Sequence, residues 1–422
     1  MSIFLTGLFF IAMIGLPLFI VLSMLALAGF FSEDINLSIY FAELIRLAEN
    51  PTLVAIPLFT VAGYLLAKSK ASDRLVKFAQ ALLGWLPGGL AVVALSTMAL
   101  FTAFSGASGI TIVAMGGLLL PALLKAGFKE NFSLGLLTVS GSVGLLFPPS
   151  LPLIIYAVIA ETPVDKMFIA GIVPGILMVT GLSLYSMKHG FKLKSEKTKQ
   201  REPIIPAIRE AIWELPLPIV VIGGIYSGFF TATEAAIATV IYLIIVECFI
   251  IRDIHPLKDL PGILRESSIL IGGILLILGS ALALTNYLVF VDVPSTMVEW
   301  IQSIVSTRIG FLLMLNVFLL IIGCLMDVFS ALVVVVPLVL PVALEFGIDP
   351  VHLGIIFLAN LEIGYSTPPV GLNLFISSFR FKRPVLQVYR STIPFLAIQI
   401  IILILITYLP VLTLYPLGLM GK

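Results

Sequence analysis

The sequence is poor in charge, cysteine and histidine, and each shortage excludes a class of protein. Only 11% of its 422 residues are charged while 60% are hydrophobic, and the mean hydropathy is +1.17. A soluble domain carries about a quarter charged residues, so this chain cannot cover a water-exposed surface. Its hydrophobic content is enough for about a dozen spans of roughly 20 residues. We expect an all-α polytopic membrane protein in a lipid bilayer.

The same shortages exclude several kinds of chemistry. Cys248 and Cys324 stand alone in hydrophobic stretches, and the three histidines have no metal-ligand spacing. The formal net charge of +1 argues against nucleic acid as a partner. The G-x-x-x-x-G-K-[ST] motif of ATP-driven pumps is missing, and no serine or carboxylate has the companions of a hydrolytic enzyme. We expect neither an enzyme nor a cofactor.

Hydrophobic runs divide the chain into segments. Residues 1–31 contain no charged side chain and predict a retained N-terminal scaffold helix rather than a cleaved signal peptide. Residues 32–50 mix acidic and hydrophobic residues, as in an amphipathic segment at the membrane interface. The remaining segments are a first repeat (51–187), a basic cytoplasmic loop (188–203), scaffold helices (204–265), a second repeat (266–390) and a C-terminal helix (391–422). Among the single spans that we expect are 205–229, 232–251 and 391–415.

Two hydrophobic regions, 88–124 and 309–344, are too long for one span and are interrupted near the middle. The interruptions are Ser105–Gly109 (the first tip) and Asp327–Ser330 (the second tip). Backbone that leaves the helix at membrane depth is tolerated only inside protein or beside water, so each region predicts a re-entrant hairpin. The stretches 131–160 and 351–379 each contain a Pro-Pro pair and predict broken helices.

An internal repeat relates these features. Four landmarks recur at an offset of 220 residues without a gap: Pro121 and Pro341, Gly127 and Gly347, Gly144 and Gly364, and Pro148-Pro149 and Pro368-Pro369. The chain is therefore predicted to consist of two related halves. Five predicted crossings separate the hairpins, an odd number, so the halves are expected to have inverted topology. The basic loops then fall on one side, which the positive-inside rule makes the cytoplasm.

Inverted repeats with broken helices are typical of secondary transporters, whose ligands bind at the breaks. The N–H groups that begin a half-helix attract an anion. Unwound carbonyls and hydroxyls instead supply oxygen ligands for a small cation such as sodium. An anion channel also uses re-entrant tips, but it has little need for two inverted halves. The pattern therefore favours a coupled transporter of a small anion.

Six stretches of the sequence, spread over both halves, form a further pattern. They are FSGASGITIVAMGGLLLPAL (104–123), FPPSLPLIIYAV (147–158), FIAGIVPG (168–175), GGIYSGFFTATEAA (223–236), MDVFSALVVVVPLVLPVA (326–343) and EIGYSTPPVGLNLF (362–375). In these stretches the sequence resembles a known family, the large membrane subunit of TRAP transporters (tripartite ATP-independent periplasmic transporters), or DctM-like proteins. TATEAA and TPPVGLNLF are the most specific parts of the resemblance.

The resemblance implies a function. Such proteins are elevator-type transporters of the bacterial inner membrane that use a sodium gradient to import a small organic anion, a carboxylate or a sulfonate. It also implies two protein partners, a small four-helix membrane subunit and a periplasmic substrate-binding protein that delivers the anion. Sodium would be the coupling ion. The nearest rival is a stand-alone sodium/divalent-anion symporter, which would need no binding protein.

The resemblance also implies ligand positions. One sodium ion would lie between the first tip and the loop of the first broken helix, the second between the second tip and the loop of the second. The implied ligands of the first ion are Ser105, Ser108, Ser140, Ser142 and Gly144. Those of the second ion are Asp327, Ser330, Gly364 and Thr367. The substrate would lie between the tips and contact Gly106, Thr111, Pro149, Ser150, Pro369 and Asn373.

Some of these residues have a structural alternative. Asp327 has the position of a helix cap, and serines such as Ser140 and Ser142 are often close-packing residues in membrane helices. Glu362 could serve as a ligand or proton relay, or simply hydrogen-bond to nearby backbone. Glu234 follows Thr231 at the spacing of a capping box, which favours a structural role.

Overall fold

Every regular element in the described part of the chain is helical in the computed structural model, which describes residues 16–49, 51–191 and 203–420. Eight of these helices are long and hydrophobic enough to span a membrane, and a bent pair raises the number to nine. The prediction of an all-α polytopic membrane protein is confirmed. Part of the predicted N-terminal helix and most of the predicted basic loop lie outside the described residues.

The described N-terminal residues, from 16 to 83 without 50, form four helices. They are α1 (Leu18–Ser32), α2 (Ser38–Glu49), α3 (Ala55–Lys68) and α4 (Ala71–Leu83), with a 3-10 turn at Pro51–Val54 before α3. Helix α2 is the amphipathic segment expected within 32–50. The hydrophobic runs do not predict α4, because Asp73, Arg74 and Lys77 interrupt the run of hydrophobic residues along the sequence.

The first half follows the predicted order of hairpin and broken helix. The hairpin pairs α5 (Gly89–Ser105) with α6 (Ser108–Lys125), and the broken helix consists of α7 (Glu130–Val143), a 3-10 turn at Gly144–Leu146 and α8 (Leu151–Ile159). The axis bends by 44° at this break. Helix α9 (Val164–Gly190) then leads to the loop between the halves.

The middle of the chain departs from the predicted spans. Its helices are α10 (Ile204–Glu210), α11 (Pro216–Tyr226), α12 (Ala232–Ile244, continued by a π-helical stretch Ile245–Ile250), α13 (Leu260–Phe290) and α14 (Val293–Ile304). One span at 205–229 is wrong, since the chain leaves the helix after Glu210 and α11 starts anew at a proline, which lacks the N–H that a continuing helix needs. The capping box at Thr231 and Glu234 is confirmed.

The second half repeats the pattern of the first. The hairpin pairs α15 (Arg308–Leu325) with α16 (Val328–Glu345), and the broken helix pairs α17 (Pro350–Gly364) with α18 (Leu372–Phe381). Two helices follow, α19 (Val385–Tyr408) and α20 (Val411–Met420). The single C-terminal helix predicted at 391–422 is therefore corrected to two, because Pro410 cannot donate the hydrogen bond that would continue α19.

The two halves pack crosswise. Helix α6 of the first hairpin lies against α18 of the second broken helix, and α8 of the first broken helix lies against α16 of the second hairpin. Hydrogen bonds cross the same boundary, from Thr138 to Ser377 (2.9 Å) and from the Arg380 guanidinium to the carbonyl of Val113 (2.8 Å). The hairpins and broken helices thus form one packed group.

A second group of helices lies beside the first. Helix α13 packs against α1 and α3, and α3 packs against α12. The ends of α3 and α13 are joined by an ion pair between Lys68 and Glu266 (3.0 Å). We call α1, α3, α12 and α13 the scaffold group. The candidate site lies where the scaffold group faces the tips of the two hairpins.

Candidate functional site

The first tip exposes free backbone donors. Gly106 ends α5 with a φ of +65°, a left-handed conformation that glycine adopts without a steric penalty. Helix α6 begins after Ala107 with no side-chain cap. Within the described residues, the N–H groups of Ser108, Gly109 and Ile110 find no acceptor. The start of α6 is therefore a partly positive, unoccupied row of donors.

The second tip differs because protein groups occupy its donors. The Asp327 carboxylate accepts hydrogen bonds from the N–H groups of Phe329 (3.0 Å) and Ser330 (3.1 Å), and the Ser330 hydroxyl donates to its other oxygen. The N–H of Val328 donates to the hydroxyl of Tyr365. The capping role of Asp327 is thus present in the structure. The start of α16 has no backbone donor left for an anion among its first three residues.

Hydroxyl groups gather behind the first tip. The hydroxyl of Thr102 contacts the hydroxyl of Thr111 (2.7 Å) and donates to the carbonyl of Gly141 (2.9 Å). The Ser105 hydroxyl lies 3.3 Å from the same Thr111 oxygen. The structure therefore brings Ser105 and Thr111 together with the first broken helix. Thr102 completes this cluster. It was not predicted from the sequence, because it lies within a regular helix, three residues before the first tip.

Of the four serines assigned to the first sodium site, the two on α7 point in different directions. The Ser140 hydroxyl donates to the carbonyl of Leu136 (2.6 Å), one turn earlier in its own helix. The Ser142 hydroxyl donates to the carbonyl of Glu362 (3.1 Å), across the boundary between the halves. Both side chains are fully buried. Ser142 therefore connects the two broken helices.

Gly144 and Gly364 hold equivalent close contacts in the two halves. A Cβ at Gly144 would lie 2.1 Å from the carbonyl oxygen of Ala99, on the first helix of its own hairpin. A Cβ at Gly364 would lie 2.6 Å from the backbone of Gly323, on the first helix of the second hairpin, that of its own half. Each glycine thus permits a broken helix to touch its hairpin.

The loop of the second broken helix is held by backbone hydrogen bonds. The N–H of Gly371 donates to the carbonyl of Cys324 (2.9 Å), next to the second tip. The N–H of Asn373 donates to the carbonyl of Tyr365 (3.0 Å), and the Thr367 hydroxyl donates to the carbonyl of Ile363 (2.9 Å). Pro369 lies on the exposed side of this loop, and its carbonyl accepts a hydrogen bond from Tyr389.

Several buried polar atoms at the breaks lack a protein partner. They include the Ser150 hydroxyl, directly after Pro149, and the side-chain carbonyl of Asn373. One oxygen of Glu362 also lacks a partner, while the other accepts from Gln399 (2.8 Å). Buried polar atoms are nearly always hydrogen-bonded in folded proteins. The second broken helix contributes Asn360, Glu362, Ser366 and Asn373 to this set, whereas the first contributes Ser150. Such a group of unpaired polar atoms is typical of a ligand-binding region.

A cavity of about 760 Å³ lies between the two tips and the scaffold group. The first tip contributes Gly106 and Ser108 to its wall, and the second tip contributes Asp327. The scaffold group contributes Lys68 and Glu266 on the opposite side. A cavity of this size accommodates a small organic molecule.

The cavity wall contains part of the predicted set. Gly106, Ser108 and Asp327 belong to it. The other predicted ligands do not line this wall. They are Ser105, Ser140, Ser142, Gly144, Ser330, Gly364 and Thr367 for sodium, and Thr111, Pro149, Ser150, Pro369 and Asn373 for the substrate. Their roles as ligands stay predictions. Sequence reasoning missed Tyr64, Lys68 and Glu266, because nothing in the scaffold helices marks which turn faces the tips. It also missed Tyr365, at the end of α17.

These features define a class: a multi-pass membrane protein with paired hairpins and broken helices around a central cavity. Comparison with a solved structure supports this fold. The YdaH transporter of Alcanivorax borkumensis, described as having an unusual topology, matches with a TM-score of 0.62 over 87% of this chain and 86% of that chain, at 13% identity.

Sequence comparison identifies the family. The family model of the "Tripartite ATP-independent periplasmic transporter, DctM component" matches residues 4–412. A C4-dicarboxylate TRAP transporter large permease protein, DctM of Pseudomonas aeruginosa, is 36% identical over 88% of this chain and 87% of its own length. The isethionate TRAP transporter permease protein DctMQ of Oleidesulfovibrio alaskensis is 34% identical over 95% of this chain and 64% of its own length.

The chain belongs to the DctM family of TRAP transporter large permease subunits. It is therefore a transporter permease of the bacterial inner membrane and not an enzyme. The family name describes a tripartite system, in which a large permease works with a small membrane subunit and a periplasmic binding protein. The resemblance found in the sequence is confirmed.

Proposed function

We propose that this chain imports a small organic anion, a carboxylate or a sulfonate, in symport with sodium ions. The observation that carries the proposal is the cavity between the tips, with the free N–H groups of α6 on one side and Lys68 on the other. Free helix N-termini and a lysine are suitable contacts for a carboxylate or sulfonate group. The relatives named for a C4-dicarboxylate and for isethionate transport anions of these two kinds.

The proposed movement is of the elevator type. The crosswise contacts between the halves would make hairpins and broken helices one moving body, and the scaffold group would be the stationary one. The cavity lies between these two groups. An inverted relation of the halves, as the basic loops favour, would let the same body open toward either side.

Two sodium sites would couple this movement to the ion gradient. The first would use the hydroxyl of Thr111 and the carbonyl of Gly141, which lie within hydrogen-bond distance of the Thr102 hydroxyl, together with the Ser105 hydroxyl, 3.3 Å from that of Thr111. The second would use Asp327 and the unwound loop from Gly364 to Thr367. Unwound carbonyls and hydroxyls of broken helices are common sodium ligands in secondary transporters.

Uptake in proteoliposomes tests this function. The vesicles contain the chain with its small membrane subunit, the binding protein is added outside, and radiolabelled succinate or isethionate is offered with an inward sodium gradient. We expect uptake that needs both the gradient and the binding protein. Sodium-driven uptake without the binding protein would instead identify a stand-alone symporter, and flux that ignores the gradient would identify a channel.

A further inference from the structure

We infer that Lys68 is the scaffold residue that contacts the anionic group of the substrate, and that Glu266 competes with the substrate for it. This inference rests on the proposed function. Lys68 ends helix α3 and lies in the cavity wall opposite the first tip. Among the described residues it is the one basic side chain in that wall.

The other charges in the wall leave Lys68 as the natural contact for an anion. Asp327 repels an anion, and its carboxylate already binds the start of α16. Glu266 also repels an anion, but it lies within 3.0 Å of the Lys68 ammonium. An ammonium group has three donors, and one hydrogen bond, to Glu266, is formed here. Lys68 can therefore bind a second acceptor from the cavity.

Because the Lys68–Glu266 ion pair is exposed, another anion can readily replace Glu266 as the partner of Lys68. The Lys68 side chain is 48% exposed and the Glu266 side chain is 50% exposed. Ion pairs that are so open to water contribute little to stability. A carboxylate or sulfonate that enters the cavity can thus displace Glu266 from Lys68 without disrupting the fold. The two residues come from different scaffold helices, so their position is set by the packing of α3 against α13.

The location on the scaffold limits when this contact exists. The free N–H groups of Ser108 and Gly109 belong to the hairpin group, whereas Lys68 belongs to the scaffold group. A substrate held by the hairpin reaches Lys68 only in an arrangement in which the tips face the end of α3, as they do here. Lys68 would therefore tune affinity on one side of the transport cycle.

Equilibrium binding measures this role directly. Radiolabelled succinate, with isethionate as a second probe, is bound in sodium to the purified chain with its small membrane subunit. We expect Lys68→Gln to weaken binding about fivefold to tenfold, the loss of one charged contact in a half-exposed site. Glu266→Gln should strengthen binding about twofold to threefold, because it removes the competitor. Lys77→Gln is the control, since Lys77 forms an equally exposed ion pair with Glu210 outside this wall.

A charge-swapped variant separates substrate contact from helix bracing. Lys68→Glu combined with Glu266→Lys restores an ion pair between α3 and α13 but moves the cation. We expect this variant to fold like the wild type and to bind weakly. Equal losses in both single variants, with recovery in the swap, would make the pair a brace and overturn the inference. Unchanged binding by Lys68→Gln would overturn it as well. If the wild type binds neither probe, the proposed function fails, and the inference fails with it.

Discussion

At the scale of single residues, Asp327 combines two possible roles that substitution can separate. Its carboxylate caps α16 through the N–H groups of Phe329 and Ser330, and it is also a predicted sodium ligand. Asparagine caps helices about as well as aspartate but carries no charge. The pair of variants Asp327→Asn and Asp327→Ala therefore distinguishes a cap from an ion site.

We expect Asp327→Asn to keep the melting temperature of the wild type and to raise the sodium concentration for half-maximal uptake at least about tenfold. Asp327→Ala should do the same and also lose about 1 kcal/mol of stability, the usual value of a helix cap. Sodium titration of uptake and thermal melting in detergent measure the two effects. Wild-type sodium activation in both variants would remove Asp327 from the second ion site.

Arg74 is a second residue with a structural role, because it forms ion pairs with three carboxylates. Its guanidinium, on α4, contacts the carboxylates of Glu214 (2.6 Å), Glu247 (3.0 Å) and Asp253 (2.5 Å), which lie on three different segments. Burial opposes the charge of Arg74, but the hydrogen bonds that its guanidinium donates to Asp253 and Glu214 raise its pKa above the ordinary value. Burial raises the pKa of Glu214, an effect that Arg74 partly offsets.

Removal of Arg74 should therefore destabilise the protein in a pH-dependent way. Arg74→Gln leaves buried carboxylates without a counter-charge, which costs about 3–5 kcal/mol. Because the pKa of folded Glu214 is raised above its ordinary 4.5, its stabilising contribution is present at low pH and is lost as the pH rises through the folded value. Without Arg74 more stability is lost as the pH rises, because no cation offsets the effect of burial on the pKa of Glu214.

We thus expect the apparent melting temperature of the Arg74→Gln variant to fall more steeply than that of the wild type as the pH rises above the ordinary 4.5 of Glu214. Thermal melting in detergent at several pH values measures it. Lys77→Gln on the same helix is the control, since its ion pair is half exposed and contributes little. Parallel curves for wild type and Arg74→Gln would contradict the expectation.

At the scale of elements, the broken helices depend on close contact with their own hairpins. Gly144→Ala places a Cβ 2.1 Å from the Ala99 oxygen, and Gly364→Ala places one 2.6 Å from Gly323 backbone. We expect each to lose about 1–3 kcal/mol through overpacking and to reduce transport strongly. Gly272→Ala is the control, because nothing lies within 4 Å of its Cβ position. Melting and uptake are measured together, and wild-type values in both loop variants would disprove the tight contact.

At the scale of the whole molecule, the positive-inside assignment predicts which loops face the cytoplasm. Asp165, at the start of α9, and Lys258, before α13, are both exposed and are predicted on opposite sides. We expect a membrane-impermeant maleimide to label Asp165→Cys in intact cells and Lys258→Cys only after permeabilisation. The native cysteines, both buried, serve as the background. The reverse pattern would invert the topology.

Most of this architecture could be predicted because hydrophobic runs and their interruptions are local features. Ser105–Gly109 and Asp327–Ser330 break apolar stretches, and the hairpins turn within them. The Pro-Pro pairs likewise mark both broken helices. Helix α4 was not predicted, because the partners of Arg74 are distant carboxylates. A local sequence pattern does not identify such partners.

The site was predicted less completely for the same reason. The tips were found from sequence, but the facing wall depends on how α3 and α13 rotate against them. Lys68 and Glu266 are 198 residues apart and look like ordinary charges near helix ends. The sequence also did not predict that the backbone donors of the second tip are occupied while those of the first are free. One of the occupied donors binds Tyr365, which comes from the following broken helix.

The crosswise packing of the halves has a consequence for how the protein is made. Helix α8 ends at Ile159, but its partner α16 begins only at Val328. At about 5–20 residues per second of synthesis, the first broken helix waits on the order of ten seconds or more in the membrane before its partner emerges. During that interval its buried serines and unwound backbone need hydrogen-bond partners other than the second half. The nascent first half is thus the stage at which another protein, such as the insertion machinery, or water must contact the groups that the second half later covers.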